Sequence, residues 1–157
     1  MSGFRVLHRD EIFMGSTMLN ITFGVVSLLL LIATGCDLRT REIPNWISIA
    51  IAVVAMVASS AGWLGIGLPW VIAGGVAGFL VGYGLFRFAK LGGGDAKLIS
   101  ALGLVVGPVG LLIVLFGSAL AGGILALIAI SRKQKDYAYV PAITCGFMLY
   151  LGLVSQI

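Results

Sequence analysis

The stretch LGGGDAK, from Leu91 to Lys97, interrupts a sequence that is otherwise almost entirely apolar. Its three consecutive glycines allow the backbone to bend and to approach a neighbouring segment closely. Asp95 follows them at a position where aspartate commonly caps the start of a helix. Carboxylates at the mouth of a membrane segment are costly and tend to be functional, so this interruption is a candidate site.

A second polar stretch, CDLRTREIPN at residues 36–45, ends the first apolar run. It carries Asp37 near its start, and Pro44 suits the first turn of the helix that follows. Asp37 and Asp95 therefore occupy comparable positions, each beside an apolar segment.

Composition places the chain in a membrane. Of its 157 residues, 60% are hydrophobic and 10% are charged, and the mean hydropathy is +1.13. A soluble domain carries about 25% charged residues, so this chain has too few to cover a water-facing surface. We expect an all-α, polytopic membrane protein. The net charge of +4 comes from basic residues in short loops, which is typical of membrane anchoring rather than nucleic-acid binding.

Cysteine and histidine give no support to a metal site. Cys36 and Cys145 form no CxxC pair, and His8 is the only histidine. We therefore expect neither a bound metal nor a disulfide framework.

Hydropathy and turn signals predict six transmembrane helices, at residues 18–36, 46–67, 70–88, 96–106, 109–130 and 139–156. We expect residues 1–17 to form an N-terminal tail and residues 18–157 to form one membrane domain. The fourth helix, which ends at Gly107-Pro108, covers only about 17 Å of a hydrocarbon core of about 30 Å. Its start, Asp95, is therefore predicted to lie in a recess below the membrane surface.

The distribution of basic residues predicts the orientation. Eight of the ten basic residues lie in the loops after the first, third and fifth predicted helices or in the helix ends that flank those loops: Arg39, Arg41, Arg87, Lys90, Lys97, Arg132, Lys133 and Lys135. The positive-inside rule assigns these loops to the cytoplasm. Asp37 and Asp95 are thus expected on the same, cytoplasmic side.

Two adjacent carboxylates can act as an acid and a base. They cannot both ionise cheaply, so they tend to share one proton. One can deprotonate a water molecule while the other protonates a carbonyl oxygen. Because Asp37 follows a helix C-terminus and Asp95 begins a helix, we expect Asp95 to be the initial base and Asp37 the acid.

Other functions fit the same residues. Asp37 could be an ordinary loop residue and Asp95 a simple helix cap. A small transporter or assembly scaffold could use the paired acidic residues to bind an ion or a partner. The sequence shows no inverted repeat, which makes a transporter less attractive.

The chain resembles the prepilin peptidases, which are type IV leader peptidases and GxGD-type membrane aspartyl proteases of type IV pilus and secretion systems. It is most similar to their short form, associated with tight-adherence (Flp) pili. The residues that carry the resemblance are Asp37 with Ile43-Pro44-Asn45, then Gly92, Gly94, Asp95 and Lys97, and finally Val140-Pro141-Ala142-Ile143. Presenilin-type proteases share GxGD alone, but both motifs in this order, over residues 18–156, are more specific.

The resemblance implies a catalytic pair, Asp37 and Asp95, supported by Ile43, Pro44, Asn45, Gly92, Gly94 and Lys97. It implies cleavage of prepilin leader peptides at the cytoplasmic face of the bacterial inner membrane, without a cofactor. The expected partners are a prepilin or pseudopilin helix and the lipid bilayer, with no nucleic acid; the oligomeric state stays open. The glycine-rich third helix is expected to let the substrate helix approach closely.

One departure from the family pattern concerns a second activity. Long prepilin peptidases carry an extra segment with two CxxC pairs and also methylate the new N-terminus. This sequence has no CxxC pair, so neither methyl transfer nor zinc nor S-adenosylmethionine is expected.

Overall fold

The computed structural model describes residues 3–40, 43–89, 92–131 and 139–156. In these ranges the regular structure is helical: α1 Gly3–Thr40, α2 Asn45–Ser60, α3 Leu68–Ala89, α4 Gly93–Ser131 and α5 Val140–Val154. The expected all-α class is confirmed.

The helices have the length and composition of membrane segments. Three stretches in the described part of the chain are long and apolar enough to cross a bilayer: Gly15–Thr40, Leu68–Phe88 and Gly93–Ala129. Two further apolar helices, Asn45–Ser60 and Val140–Val154, are shorter. Large apolar side chains also cover the outside of the bundle, as Leu80 at 63% exposed and Leu112 at 66% exposed illustrate. The chain is therefore a membrane protein.

Helix α4 is broken at Gly107, at the position predicted from Gly107-Pro108. Gly107 has φ 71° and ψ 178°, a left-handed conformation that glycine adopts without the steric cost of a Cβ. Pro108 follows and has no N–H to donate to a continuous helix. The break divides α4 into a first part, residues 93–106, and a second part, residues 108–131.

The first part of α4 packs closely and antiparallel against α3. A Cβ on Gly82 would lie 2.7 Å from the carbonyl oxygen of Ala96, and one on Gly78 would lie 2.7 Å from that of Ile99. At the other end of α3, Gly74 lies directly against Gly103. Small residues thus bring the two backbones together, as is common in membrane bundles.

The second part of α4 returns along α5. Gly110 contacts Tyr150 near the end of α5, whereas Gly122 contacts Tyr139 just before its start. The start of α5 lies at Asp37, because the Val140 amide bonds to that carboxylate. The start of α4 lies at this same end of the bundle, because Asp95 lines one cavity with Asp37. The first part of α4 therefore runs away from Asp37 and the second part runs back towards it, so the chain reverses direction at Gly107.

Helix α1 is longer than the predicted residues 18–36. It begins at Gly3 and runs to Thr40, because the intervening sequence contains no proline. The Thr40 hydroxyl donates a hydrogen bond to the carbonyl oxygen of Cys36 across 2.9 Å in the last turn. That residues 1–17 form a separate tail stays a prediction.

The buried core joins four of the helices beneath the site. Its fully buried members include Leu30 of α1, Ile51 of α2, Leu102 of α4 and Phe147 of α5. Such a core holds the end of α1 in a fixed relation to the start of α4 and of α5.

Candidate active site

Asp37 lies in the last turn of α1 rather than in the loop predicted after it. Its side chain is only 7% exposed, and Oδ2 accepts a hydrogen bond of 3.0 Å from the backbone N–H of Val140. The hydroxyls of Thr34 and Thr144 are hydrogen-bonded at 2.8 Å, which fixes α1 against the N-terminal half of α5. Asp37 therefore caps the N-terminus of a helix 103 residues further along the chain.

Asp95 is the third residue of α4, because the helix already begins at Gly93. It is 9% exposed, and Oδ1 has no hydrogen-bond partner among the described residues. Oδ2 folds back over the start of the helix, where a Cβ on Gly92 would lie 3.0 Å from it. Asp95 was expected at the cap position itself; it instead reaches back towards that position from the first turn.

The two carboxylates line the same cavity. This cavity, here called the aspartate cavity, has a volume of about 260 Å³ and is lined by Asp37, Ile43, Asn45, Gly92, Gly93, Gly94 and Asp95. Four of the six predicted supporting residues therefore border it together with both aspartates. The remaining two, Pro44 and Lys97, adjoin its lining.

Ile43 lines the aspartate cavity and packs against Gly92-Gly93-Gly94, here called the glycine loop. A Cβ on Gly94 would lie 2.9 Å from the Cβ of Ile43, so a side chain at this position would displace Ile43. Pro44 follows with φ −59° and immediately precedes α2, at the helix cap rather than inside the first turn. The Ile-Pro-Asn sequence thus packs against the glycine loop and starts the next helix.

Lys97 connects α4 to α2. Its Nζ donates a hydrogen bond of 2.9 Å to Oδ1 of Asn45. Because Asn45 lines the aspartate cavity, Lys97 orients a side chain of the site without lining that cavity itself.

Three glycines of α3 are not free to receive a substrate helix. Gly74, Gly78 and Gly82 all contact the first part of α4. The expectation that a substrate helix approaches α3 is therefore wrong for these three glycines, because another segment of the same chain already packs against them. For Gly84, which has nothing within 4 Å of its Cβ, it stays a prediction.

Sequence reasoning did not find the role of the Val140 amide. The segment Val140-Pro141 was singled out as a family feature, and Pro141 does lie in the first turn of α5. Proline in a first turn marks a helix start and so leaves nearby N–H groups without a helical partner. That signal identifies a donor, but only the fold shows that Asp37 is its acceptor.

Comparison with known families identifies the family of the chain. The model of the type IV leader peptidase family matches residues 24–127, which include Asp37 and Asp95. The chain belongs to the type IV leader peptidase family. A relative, the prepilin leader peptidase/N-methyltransferase of Neisseria gonorrhoeae, is 29% identical over 140 residues.

The match to this relative is unequal in extent. It covers 83% of this chain but 49% of the gonococcal protein, so the chain spans about half the length of this curated relative. No solved structure matches the chain.

Proposed function

We propose that this type IV leader peptidase family member is a membrane-embedded aspartyl endopeptidase that cleaves the leader peptides of Flp-type prepilins. The observation that carries the proposal is that Asp37 and Asp95, from distant segments, line one cavity with the glycine loop. The gonococcal relative is named as a prepilin leader peptidase, which supports the same substrate class.

The surroundings of the two carboxylates suggest their roles. Asp37 accepts an amide hydrogen bond at the start of α5, where a negative charge is favoured by the helix dipole. Asp95 has a buried oxygen without a partner, a setting that disfavours a charge. We therefore reverse the assignment made from helix ends alone: Asp37 is the initial base, and Asp95 is the acid.

The proposed reaction follows from these roles. Asp37 takes a proton from a water molecule, whose oxygen attacks the carbonyl carbon of the scissile peptide bond. Asp95 donates its proton to the carbonyl oxygen, which gives a tetrahedral gem-diol. As the C–N bond breaks, Asp37 returns its proton to the leaving amine nitrogen, and Asp95 recovers a proton from the diol.

The membrane arrangement we propose has six spans. The alternating directions of α1, α2, α3, the two parts of α4, and α5 support it. Under the positive-inside rule, Arg39 and Arg87 assign the aspartate cavity to the cytoplasmic face of the bacterial inner membrane. A scissile bond at the cytoplasmic edge of a substrate helix would then lie at the depth of the aspartates.

We also propose that this chain acts without N-methyl transfer. The support is the absence of any CxxC pair from the sequence, the feature that marks the longer, bifunctional members. Mass spectrometry of the mature pilin would show an unmodified amino group, whereas a gain of one methyl group that depends on this protein would contradict the proposal.

Co-expression with a Flp-type prepilin tests the proposed function. Wild type should shorten the prepilin by the mass of its leader, and Asp37→Asn and Asp95→Asn should leave it uncut at equal membrane levels. Processing by either variant would favour the alternative of a transporter or assembly scaffold, for which family membership gives no support.

A further inference from the structure

Hydrogen bonds join α1 to α5 at two successive turns beside the site. The Asp37 carboxylate accepts the Val140 amide at 3.0 Å, and the hydroxyls of Thr34 and Thr144 lie 2.8 Å apart. Thr34 precedes Asp37 by three residues and Thr144 follows Val140 by four, spacings that place each pair on one face of its helix. The bond between the threonines is therefore one helical turn, about 5 Å, from the bond to the aspartate.

The direction of the threonine hydrogen bond follows from a neighbouring one. Thr144 Oγ1 donates to the carbonyl oxygen of Val140 at 3.0 Å, and a hydroxyl has only one proton to donate. Thr34 is consequently the donor to Thr144. The bonds form a chain from Thr34 through Thr144 to the backbone of Val140, whose own N–H bonds to Asp37.

The Thr34 hydroxyl is directed differently from that of another threonine on α1. Helical threonines commonly bond to the carbonyl oxygen four residues earlier, as Thr22 does to Met18 at 2.8 Å. Such a bond stays within one helix. Thr34 instead bonds to a buried residue of α5, because Thr144 is only 7% exposed.

The Val140 amide reaches Asp37 only if α5 is held in register with α1. Val140 is the first residue of α5, where N–H groups have no acceptor within the helix. Further along, the contact between the two helices is apolar, with the rings of Phe23 and Phe147 6.3 Å apart. Apolar burial has no direction, whereas a hydrogen bond weakens steeply when its atoms move out of line. The threonine bond therefore restricts a sliding of α5 along α1 that apolar packing tolerates.

We propose that Thr34 and Thr144 are positioning residues for the base Asp37. Their hydrogen bond holds the first turn of α5 in register, so that the Val140 amide keeps the Asp37 carboxylate oriented towards the water that it deprotonates. This inference rests on the proposed peptidase function and adds two residues outside the lining of the aspartate cavity. A misplacement of about 1 Å at a reacting group can lower a rate about 10²-fold, so a bond one turn away can control kcat.

Kinetics of matched threonine variants test the positioning role. Thr34→Val removes the hydroxyl but keeps the branched shape; it should lower kcat for a Flp-type prepilin about 10- to 100-fold and leave KM within about 2-fold of wild type. Thr34→Ser keeps the hydroxyl and should recover most of the lost kcat. Thr22→Val is the control, since that hydroxyl bonds within α1, and should keep the kcat of wild type.

Three kinetic results would overturn the role. They are a raised KM with unchanged kcat in Thr34→Val, equal losses of kcat in Thr34→Val and Thr34→Ser, and an equal loss in Thr22→Val. Thr144→Val makes the same test from the other helix, and carries it if Thr34→Val does not accumulate in the membrane.

The NMR signal of the Val140 amide tests the register without turnover. In detergent-solubilised protein labelled with ¹⁵N-valine, the signal is identified by its loss in Val140→Ile. Asp37→Ala gives the reference position for this amide without its carboxylate acceptor. Thr34→Val should move the signal towards that reference, and Thr34→Ser should leave it near its position in wild type. An unmoved signal in folded Thr34→Val protein would overturn the proposed positioning.

The two experiments separate failure of this inference from failure of the proposed function. If wild type does not cut the prepilin, the proposed function fails and the positioning role fails with it. If wild type cuts the prepilin and Thr34→Val cuts it equally fast, only the positioning role fails.

Discussion

The backbone N–H of Val140 donates a hydrogen bond to Oδ2 of Asp37 at 3.0 Å. This bond connects the last turn of α1 to the first turn of α5 and gives Asp37 a structural role besides its proposed chemical one. Asp95 has no such bond at Oδ1 within the described residues. The two aspartates should therefore differ in what they contribute to stability.

Substitution of Asp37 should separate its two roles. Asp37→Ala removes the acceptor of the Val140 amide and should lower the free energy of unfolding by about 1 kcal/mol, as loss of a helix cap does. Asp37→Asn keeps an acceptor oxygen and should stay closer to wild type in stability while losing activity. Thermal unfolding in detergent checks this; equal destabilisation by both substitutions would contradict the capping role.

The Lys97–Asn45 hydrogen bond should appear as an energetic coupling. Lys97→Met and Asn45→Ala should each lower kcat/KM. The double variant should have a kcat/KM no lower than that of the less active single variant, because each change breaks the same contact. Lys97→Arg keeps a cationic donor and serves as the control. Strictly additive losses would show that the two side chains act separately.

Glycines on α3 should differ according to what they face. Gly82→Ala would place a Cβ 2.7 Å from the Ala96 carbonyl oxygen and should destabilise the fold by about 1–3 kcal/mol through overpacking. Gly84→Ala is the control on the same helix, since nothing lies within 4 Å of its Cβ. It should be neutral or stabilising by up to about 1 kcal/mol because alanine favours a helix. Thermal unfolding of both variants measures this difference. Similar losses of stability in the two variants would contradict the close packing of α3 on α4.

Reporter fusions test the proposed six spans. Alkaline phosphatase, which is active only outside the cytoplasm, should be active when fused after Gly65 or after Gly107 and inactive after Ser131. The fusion after Gly107 is decisive, because a single uninterrupted crossing by α4 would leave that residue inside the bilayer. An inactive fusion after Gly107, together with an active control fusion after Gly65, would contradict the reversal of the chain at Gly107.

Local sequence signals were enough for several parts of the fold. The all-helical class followed from hydropathy, and the break at Gly107 followed from a glycine and a proline in succession. The meeting of Asp37 and Asp95 at one cavity was expected from loop parity and basic-residue counts, and the structure brings both to that cavity.

Features that depend on tertiary packing could not be read from the sequence. The pattern of Gly74, Gly78 and Gly82 indicated close helix contact but not which helix makes it. The α1 boundary was set too early, because a polar residue such as Asp37 can continue a helix when a neighbouring segment satisfies it. The same contact, invisible in the sequence, reverses the acid and base roles we assign.

The most direct test of the account is the cleavage rate of a Flp-type prepilin by purified protein in proteoliposomes, compared between wild type and Asp95→Asn. The account predicts a fall in kcat of about 10²–10⁴-fold, the usual contribution of a general acid–base group. A rate within a few-fold of wild type, in a variant that folds and reconstitutes equally, would contradict the aspartate mechanism.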